Sequence, residues 1–377
     1  MPTTLKRTAL AGVVVAAALA ATAVPASADA GTLFLPNAND GWGQDGTAWA
    51  VAITGSTVYV GGSFSHAVHN AQAELRTNLM AVTTNGDLLP FAATTDAAVR
   101  AIATMPDGSF FIGGDFTMVN NTPRSHLAKF DAAGNLTSFT VPVPKTVRDL
   151  LVIGNKLYLA GDFGKIGPDV RKFAAAVDAG SGALDPTFTP TFSGKTYGLA
   201  YNGTTLYVGG NFLTVNTSPG SYLAGLNPVN GSLQGPVFKN VGDVILDVSV
   251  NPDGSQVFGA GGGGFNSAAA WRTSDGVRQW VQRADGDVQA IRFARKNGTQ
   301  GVGNVYFGFH DGFGGNPKLR LLAADASNGT LMWPAGQPAS GGVPGVVAID
   351  SDGSRLVTAG KFPKMGTAKV KGLSIQP

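Results

Sequence analysis

The sequence predicts an all-β fold, a seven-bladed β-propeller with four-stranded blades. Three observations lead there. A Gly-Gly-x-Phe segment recurs seven times, spaced 46 to 53 residues apart, and self-similarity at such a period marks a repeat architecture. Gly accounts for 53 of 377 residues, about twice ordinary usage. Glu occurs once, at Glu74, while the other 23 acids are Asp. Glu favours helices, whereas Asp and Gly favour turns.

The copies are Gly61-Gly62-Ser63-Phe64, Gly113-Gly114-Asp115-Phe116, Ala160-Gly161-Asp162-Phe163, Gly209-Gly210-Asn211-Phe212, Gly262-Gly263-Gly264-Phe265, the degenerate Tyr306-Phe307-Gly308-Phe309, and Ala359-Gly360-Lys361-Phe362. Each unit opens on a short apolar strand, such as Val99-Arg100-Ala101-Ile102 or Val147-Arg148-Asp149-Leu150. A tight turn follows. Gly, Asn or Asp stands there in every copy, from Gly55 and Asp107-Gly108 to Asn297-Gly298 and Asp352-Gly353. These residues tolerate the positive φ of a two-residue hairpin. The second strand ends in the double glycine, which predicts a bulge or a close backbone approach. The third strand is Leu127-Ala128-Lys129-Phe130-Asp131 or its equivalent. Gly-x-Leu then opens the fourth strand, at Gly86/Leu88, Gly134/Leu136, Gly182/Leu184, Gly231/Leu233 and Gly329/Leu331.

The last unit stops after its third strand, Gly372-Leu373-Ser374-Ile375. The segment Gly31-Thr32-Leu33-Phe34-Leu35-Pro36 aligns with Gly329-Thr330-Leu331-Met332-Trp333-Pro334. The last blade is therefore expected to be closed by the N-terminal strand, which removes exposed sheet edges.

Residues 1–28 carry Lys6 and Arg7, an apolar run from Ala9 to Ala21 and the exit Ala26-Ser27-Ala28. That is the pattern of a secretory signal peptide. Residues 29–377 then make a single propeller domain. Without Lys6 and Arg7, 25 basic side chains face 24 acidic ones. Such a balance argues against nucleic-acid binding, which needs clustered cations, and against attraction to anionic membranes. No apolar run after residue 28 is long enough to span a bilayer, so no membrane insertion is expected. Cysteine is absent, which excludes disulfides, thiol catalysis and thiolate metal sites. A domain of this length can be held together by its core alone. The expected product is a secreted, extracellular monomer within reach of the cell wall.

These residues resemble the delta-60 repeat family of bacterial secreted and surface β-propellers. The family pattern is a DG turn, a GGDF-type strand end, a T-x-V-N turn, an Arg, an LA strand and G-x-L-D-P-x-F. The second unit supplies Asp107-Gly108, Gly113-Gly114-Asp115-Phe116, Thr117, Val119-Asn120, Arg124 and Leu127-Ala128. The third supplies Gly182-Ala183-Leu184-Asp185-Pro186-Thr187-Phe188. The similarity spans the mature chain and is closest over residues 97–240. A weaker similarity to kelch repeats rests on the double glycine and the period, without the Tyr and Trp that follow there. The resemblance implies the fold and an extracellular setting, and it carries over no catalytic residues.

Among candidate chemical groups, His66 and His69 have the spacing of a metal pair. No third ligand accompanies them; His69 fills a turn slot that holds Asn120, Asn216, Gly167 or Gly366 in other units, and His126 takes the slot of Asn78. No metal or cofactor is expected. Most Asp residues recur by slot: hairpin turns (Asp107, Asp253, Asp352), the x of Gly-Gly-x-Phe (Asp115, Asp162) and the end of strand three (Asp131, Asp178, Asp325). An active site is single whereas a turn recurs, so these read as Asx-turns and caps. Arg76, Arg124 and Arg171, with Lys318 and Lys369, form a recurrent cation expected to span loop carbonyls or stack on Phe.

Two first-strand slots are less repetitive. Asp149 and Asp247 stand where other units have Ala101 and Ala290. The preceding slot holds Trp49, Arg100, Arg148, Tyr197, Leu246, Gln289 and Val347. First strands ring a propeller axis, so their polar residues should line the channel or pair with one another. Strand alternation puts Arg148 and Asp149 on opposite faces, each with a partner in a neighbouring blade. The structural reading is a set of inter-blade ion pairs that fix blade order. The functional reading is an axial mouth that binds ligand through Trp49, Arg100, Arg148, Asp149, Tyr197, Asp247 and Gln289. Trp42, in Gly41-Trp42-Gly43, adds an exposed stacking platform, while Trp271 and Trp333 are expected in the core.

The chain thus reads as a non-catalytic extracellular binding protein whose partner is a surface glycan, a cell-wall component or another protein. The alternative is a secreted carbohydrate-active hydrolase or lyase using Asp149 or Asp247, since such reactions need paired carboxyl groups.

Overall fold

The computed structural model describes residues 33–34, 41–295, 303–332, 343–366 and 368–377. Residues 1–28, expected from the sequence to be a signal peptide, Leu35 and Pro36, Asn297-Gly298, and Trp333 with Pro334 lie outside the described residues. The fold is all-β, and the described residues contain no helix.

Seven antiparallel meanders of three or four strands form among the described residues. Each begins with a strand on the axis: Thr47–Thr54, Val99–Thr104, Val147–Ile153, Thr196–Tyr201, Ile245–Val250, Val288–Ala294 and Gly345–Ser351. The axial strand pairs with the strand that ends in the double glycine, and that strand pairs with the third. Every axial strand packs on the axial strand of the next sheet, and the last packs on the first. Small sheets set around a common axis are the arrangement of a β-propeller. The hairpin turns have the expected conformation, with Gly108 at φ +85° and Gly154 at φ +60°.

The core is divided in the same way. Buried side chains cluster between neighbouring sheets rather than in one centre. Tyr59, Leu79 and Ala81 of the first sheet meet Phe110, Ile112 and Phe116 of the second. Val58, Val60 and Val82 of the first meet Ala359, Leu373 and Ile375 of the last. Leu33 and Phe34 join Tyr306, Leu356 and Phe362 at the last two sheets. The Phe34 amide donates to the Tyr306 hydroxyl at 3.0 Å.

The double glycine acts on its partner strand. Each axial strand shifts register opposite that pair, leaving Trp49, Arg100, Arg148, Tyr197, Leu246, Gln289 or Val347 as the extra residue of a bulge. The second sheet shows why side chains are excluded there. A Cβ on Gly114 would lie 2.2 Å from the Ala98 carbonyl, and one on Gly113 would lie 2.6 Å from Val147 Cγ1 of the next sheet. The glycines make room for the bulged backbone on one side and the next sheet on the other.

Two expectations need correction. Among the described residues, only two sheets have a fourth strand, Arg278–Arg283 and Leu331–Met332. In four others it shrinks to a single bridge at the Gly-x-Leu leucine: Leu88, Leu136, Leu184 or Leu233. Pro90, Pro142, Pro186 and Pro236 follow those leucines, and proline has no N–H to extend a ladder. In the fifth unit, the residues opposite the bulge are Ala260 and Gly261, not Gly262 and Gly263. Two extra glycines separate that pair from Gly264-Phe265.

Five sheets carry a small hairpin between the second and third strands, at residues 66–75, 118–123, 165–170, 214–219 and 364–369. Each leaves directly after the double glycine, so the hairpins stand on the same face as the bulges. The recurrent arginines clamp them, as the spacing suggested. Arg124 donates from Nη1 to Pro123 O at 2.8 Å and from Nη2 to Thr137 O at 2.6 Å. Arg76 and Arg171 repeat the pattern on Leu89 O and Asp185 O.

Candidate functional site

The seven bulges place their extra residues around one end of the axial cavity, which holds about 620 Å³. Trp49, Arg100, Arg148, Asp149, Tyr197, Asp247 and Gln289 all line it. Four successive bulge positions, Trp49, Arg100, Arg148 and Tyr197, form one arc, and Leu246, Gln289 and Val347 complete the ring.

Both arginines are fixed. Arg100 donates from Nε to Asp115 Oδ2 at 2.7 Å, and its guanidinium lies 5.3 Å from the Trp49 ring centre. Arg148 donates from Nε and Nη2 to the two oxygens of Asp162, each at 2.9 Å. Its guanidinium lies 5.3 Å from the Tyr197 ring centre. The anchoring carboxylates also reach the following sheet. Thr146 Oγ1 donates to Asp115 at 2.7 Å, and Lys195 Nζ meets Asp162 at 2.9 Å. Hydrogen bonding to Asp162 raises the Arg148 pKa. Burial works against ionisation of Asp162, but Arg148 and Lys195 outweigh it and hold that carboxyl below its ordinary value.

This corrects the expected partner of Arg148, which lies in its own sheet. The bulge at Arg148 breaks the alternation that would have turned it toward a neighbour. Asp115 and Asp162 are likewise not Asx-turn residues.

Deeper in the cavity, Asp149 and Asp247 do reach neighbouring sheets, but they meet amides rather than cations. The Leu199 N–H donates to Asp149 Oδ2 at 2.7 Å, and the Leu150 N–H to Oδ1 at 2.8 Å. The Ile291 and Val248 N–H groups serve Asp247 in the same way, each at 2.8 Å. Leu199 and Ile291 lie on axial strands whose inner edge has no further strand to pair with. The carboxylates therefore satisfy amides that the sheets leave open. Asp350 does this for the Ile53 N–H at 2.9 Å, and it pairs with Arg292 at 2.6 Å. Asp149 and Asp247 are enclosed by protein and only partly accessible, through the cavity. Burial lifts Asp149 to about 7, with the Asp247 charge adding to the effect. Burial lifts Asp247 to about 6.

The remaining candidates fall elsewhere. Trp42 is half-buried against the junction of the first and last sheets, with its ring 5.8 Å from His69, so it is not an exposed platform. Flanking Gly41 and Gly43 are themselves packed on Gly86 and Lys371, which draws the tryptophan inward. His66 Nδ1 contacts Asp45 at 3.0 Å on the first hairpin. No group of three potential metal ligands occurs among the described residues. Asp107, Asp253 and Asp352 each accept a backbone N–H two residues on, as turn residues do. Trp271 is fully buried, as expected. Asp115, Asp162, Lys195 and Arg292 belong to the site but were not among its sequence candidates. A signal for the first two existed: Asp fills the x of Gly-Gly-x-Phe only in the two units whose bulge slot holds Arg.

Residues 106–136 match the model of a domain of unknown function (DUF5122) beta-propeller. Among solved structures, the WD40 β-propeller domain of Doa1 is similar, with a TM-score of 0.59 and 10% sequence identity over 90% of this chain and 96% of that one. At that identity the likeness is one of fold. No curated protein matches the sequence.

Proposed function

We propose that the chain is a secreted, monomeric, seven-bladed propeller whose axial mouth binds an extracellular ligand without transforming it. The ligand class favoured is a surface or cell-wall glycan, with a protein as the other possible partner. The observation that carries this reading is the arc Trp49, Arg100, Arg148 and Tyr197. Four adjacent bulge positions hold pre-set aromatic and cationic groups around an open cavity. Concave sites with a few fixed polar groups are where ligands bind. The seven axial strands in cyclic contact support the blade number. The seating of Leu33 and Phe34 at the last two sheets supports closure by the N-terminal segment.

A glycan array probed with wild type and Trp49→Ala tests the reading. Wild type should retain specific glycans, their masses unchanged, and the variant should bind about tenfold more weakly. A flat array would count against a glycan ligand.

A second reading, a carbohydrate-active hydrolase, draws on one observation. Asp149 and Asp247 share the cavity and titrate near neutrality, where a general acid is effective. Against it, every oxygen of both carboxyls already accepts an amide. Glycan turnover that disappears in Asp149→Ala would establish this second reading.

A further inference from the structure

Arg100 and Arg148 each use Nε and Nη2 on an aspartate. Among the described residues no group takes Nη1 of either, and neither Nη1 is shut away from solvent. The rings of Trp49 and Tyr197 hold both guanidinium planes in place. With Lys195 set against Asp115 and Asp162, this arc keeps one surplus positive charge. The bulge positions of the opposite arc, Leu246, Gln289 and Val347, carry no charge, and the nearby carboxylates Asp243 and Asp287 accept the amides of Gly264 and Gly263. Asp149 and Asp247 follow Arg148 and Leu246 by one residue and open into the same cavity. Each of their oxygens accepts one amide and has capacity for another donor.

These groups describe a ligand with a planar anionic head, several hydroxyls and one apolar face. We infer that the axial mouth takes a uronate, a sugar carrying a carboxylate. The carboxylate lies between the Nη1 edges of Arg100 and Arg148. Ring hydroxyls donate to Asp149 and Asp247, and the C–H face of the ring rests on Leu246 and Val347. The inference rests on the glycan-binding reading and narrows it to acidic glycans. A neutral sugar would bury both Nη1 groups without an acceptor, which is costly. A phosphate dianion carries more charge than the single surplus cation balances. The cavity, about 620 Å³, falls in the roughly 300–1,000 Å³ range of small-ligand sites. No bond is made or broken.

The site also carries a pH signature. Arg292, paired with Asp350, is the cation that acts on both interior carboxyls, and the Asp247 charge acts on Asp149. As pH rises, Asp149 and Asp247 gain negative charge and repel an anionic ligand. A uronate should therefore bind more tightly on the acid side of neutrality.

Calorimetric titration of the full chain with trigalacturonate, with a glucuronate trisaccharide and with their methyl esters tests the assignment. The better acid should bind at least about tenfold more tightly than its ester, and more tightly at about pH 5.5 than at about pH 8. Arg100→Gln and Arg148→Gln should each erase the preference for the acid while leaving the weaker binding of the ester. An ester that binds as tightly as the acid overturns the inference. So does a preference that survives both arginine substitutions, or a triglutamate peptide that binds as tightly as either uronate. If a variant fails to fold, the acid–ester comparison in wild type decides alone. Binding of neutral glycans without uronates refutes the uronate and leaves the glycan site standing; binding of no glycan refutes both.

Discussion

Arg148 and Asp162 face one another across the first two strands of a single sheet, with two parallel hydrogen bonds of 2.9 Å. The pair holds the guanidinium, which lines the cavity, 5.3 Å from the Tyr197 ring centre, and leaves Nη1 without an acceptor among the described residues. Asp162→Ala should therefore affect the site more than the fold. The pair is partly exposed, so the stability loss is expected at about 1 kcal/mol. Urea denaturation measures it. A loss of several kcal/mol would show that the carboxylate has a structural role beyond fixing the arginine.

Asp149 gives the protein a pH dependence of definite sign. Its folded value of about 7 lies above the ordinary 3.8. Between those values the folded chain holds a proton that the unfolded chain has released. Stability therefore falls as pH rises through that window. Asp149→Asn removes this titration. Thermal unfolding of both proteins at about pH 5 and about pH 8 should show the variant gaining on wild type at the higher pH. A constant difference would mean that Asp149 titrates at its ordinary value.

Gly113 sits against Val147 of the next sheet, where an added methyl would lie 2.6 Å from Cγ1. Gly113→Ala should cost about 1–3 kcal/mol through overpacking. Gly154→Ala is the contrasting case. Nothing lies within 4 Å of the site, so only its positive φ resists the change. Denaturation midpoints of the two variants separate packing from backbone strain.

The arginine clamp makes a local prediction. Arg124 ties the hairpin at 118–123 to the carbonyl of Thr137. In Arg124→Ala the amides of that hairpin should exchange faster while those of the axial strand Val99–Thr104 stay protected. Uniform acceleration would indicate that the clamp supports the whole sheet.

The sequence made the repeat and the axial slots legible because the same steric demand recurs in every unit. A double glycine is needed wherever a bulge and a neighbouring sheet crowd the second strand. That demand misled only in the fifth unit, where Gly262-Gly263 imitates the pair formed by Ala260-Gly261. The candidate mouth was readable as a set of positions, but its partners were less so. Asp115 and Asp162 looked like repeat furniture when their column was taken alone. Beside Arg100 and Arg148 they identify ion pairs. The partners of Asp149 and Asp247 are main-chain amides of Leu199 and Ile291, and a main-chain amide leaves no trace in the residue types. Trp42 was misplaced because flanking glycines suggest an open loop, whereas here they allow close packing.

The shared cluster of Val58, Val60 and Val82 with Ala359, Leu373 and Ile375 packs the sheet that starts at Thr47 against the sheet that starts at Gly345. Side-chain packing holds that seam. A chain cut at the exposed Gly154-Asn155 turn, where nothing lies within 4 Å of Gly154, should therefore keep this seam packed, with the amides of Val58 and Val357 still protected from exchange.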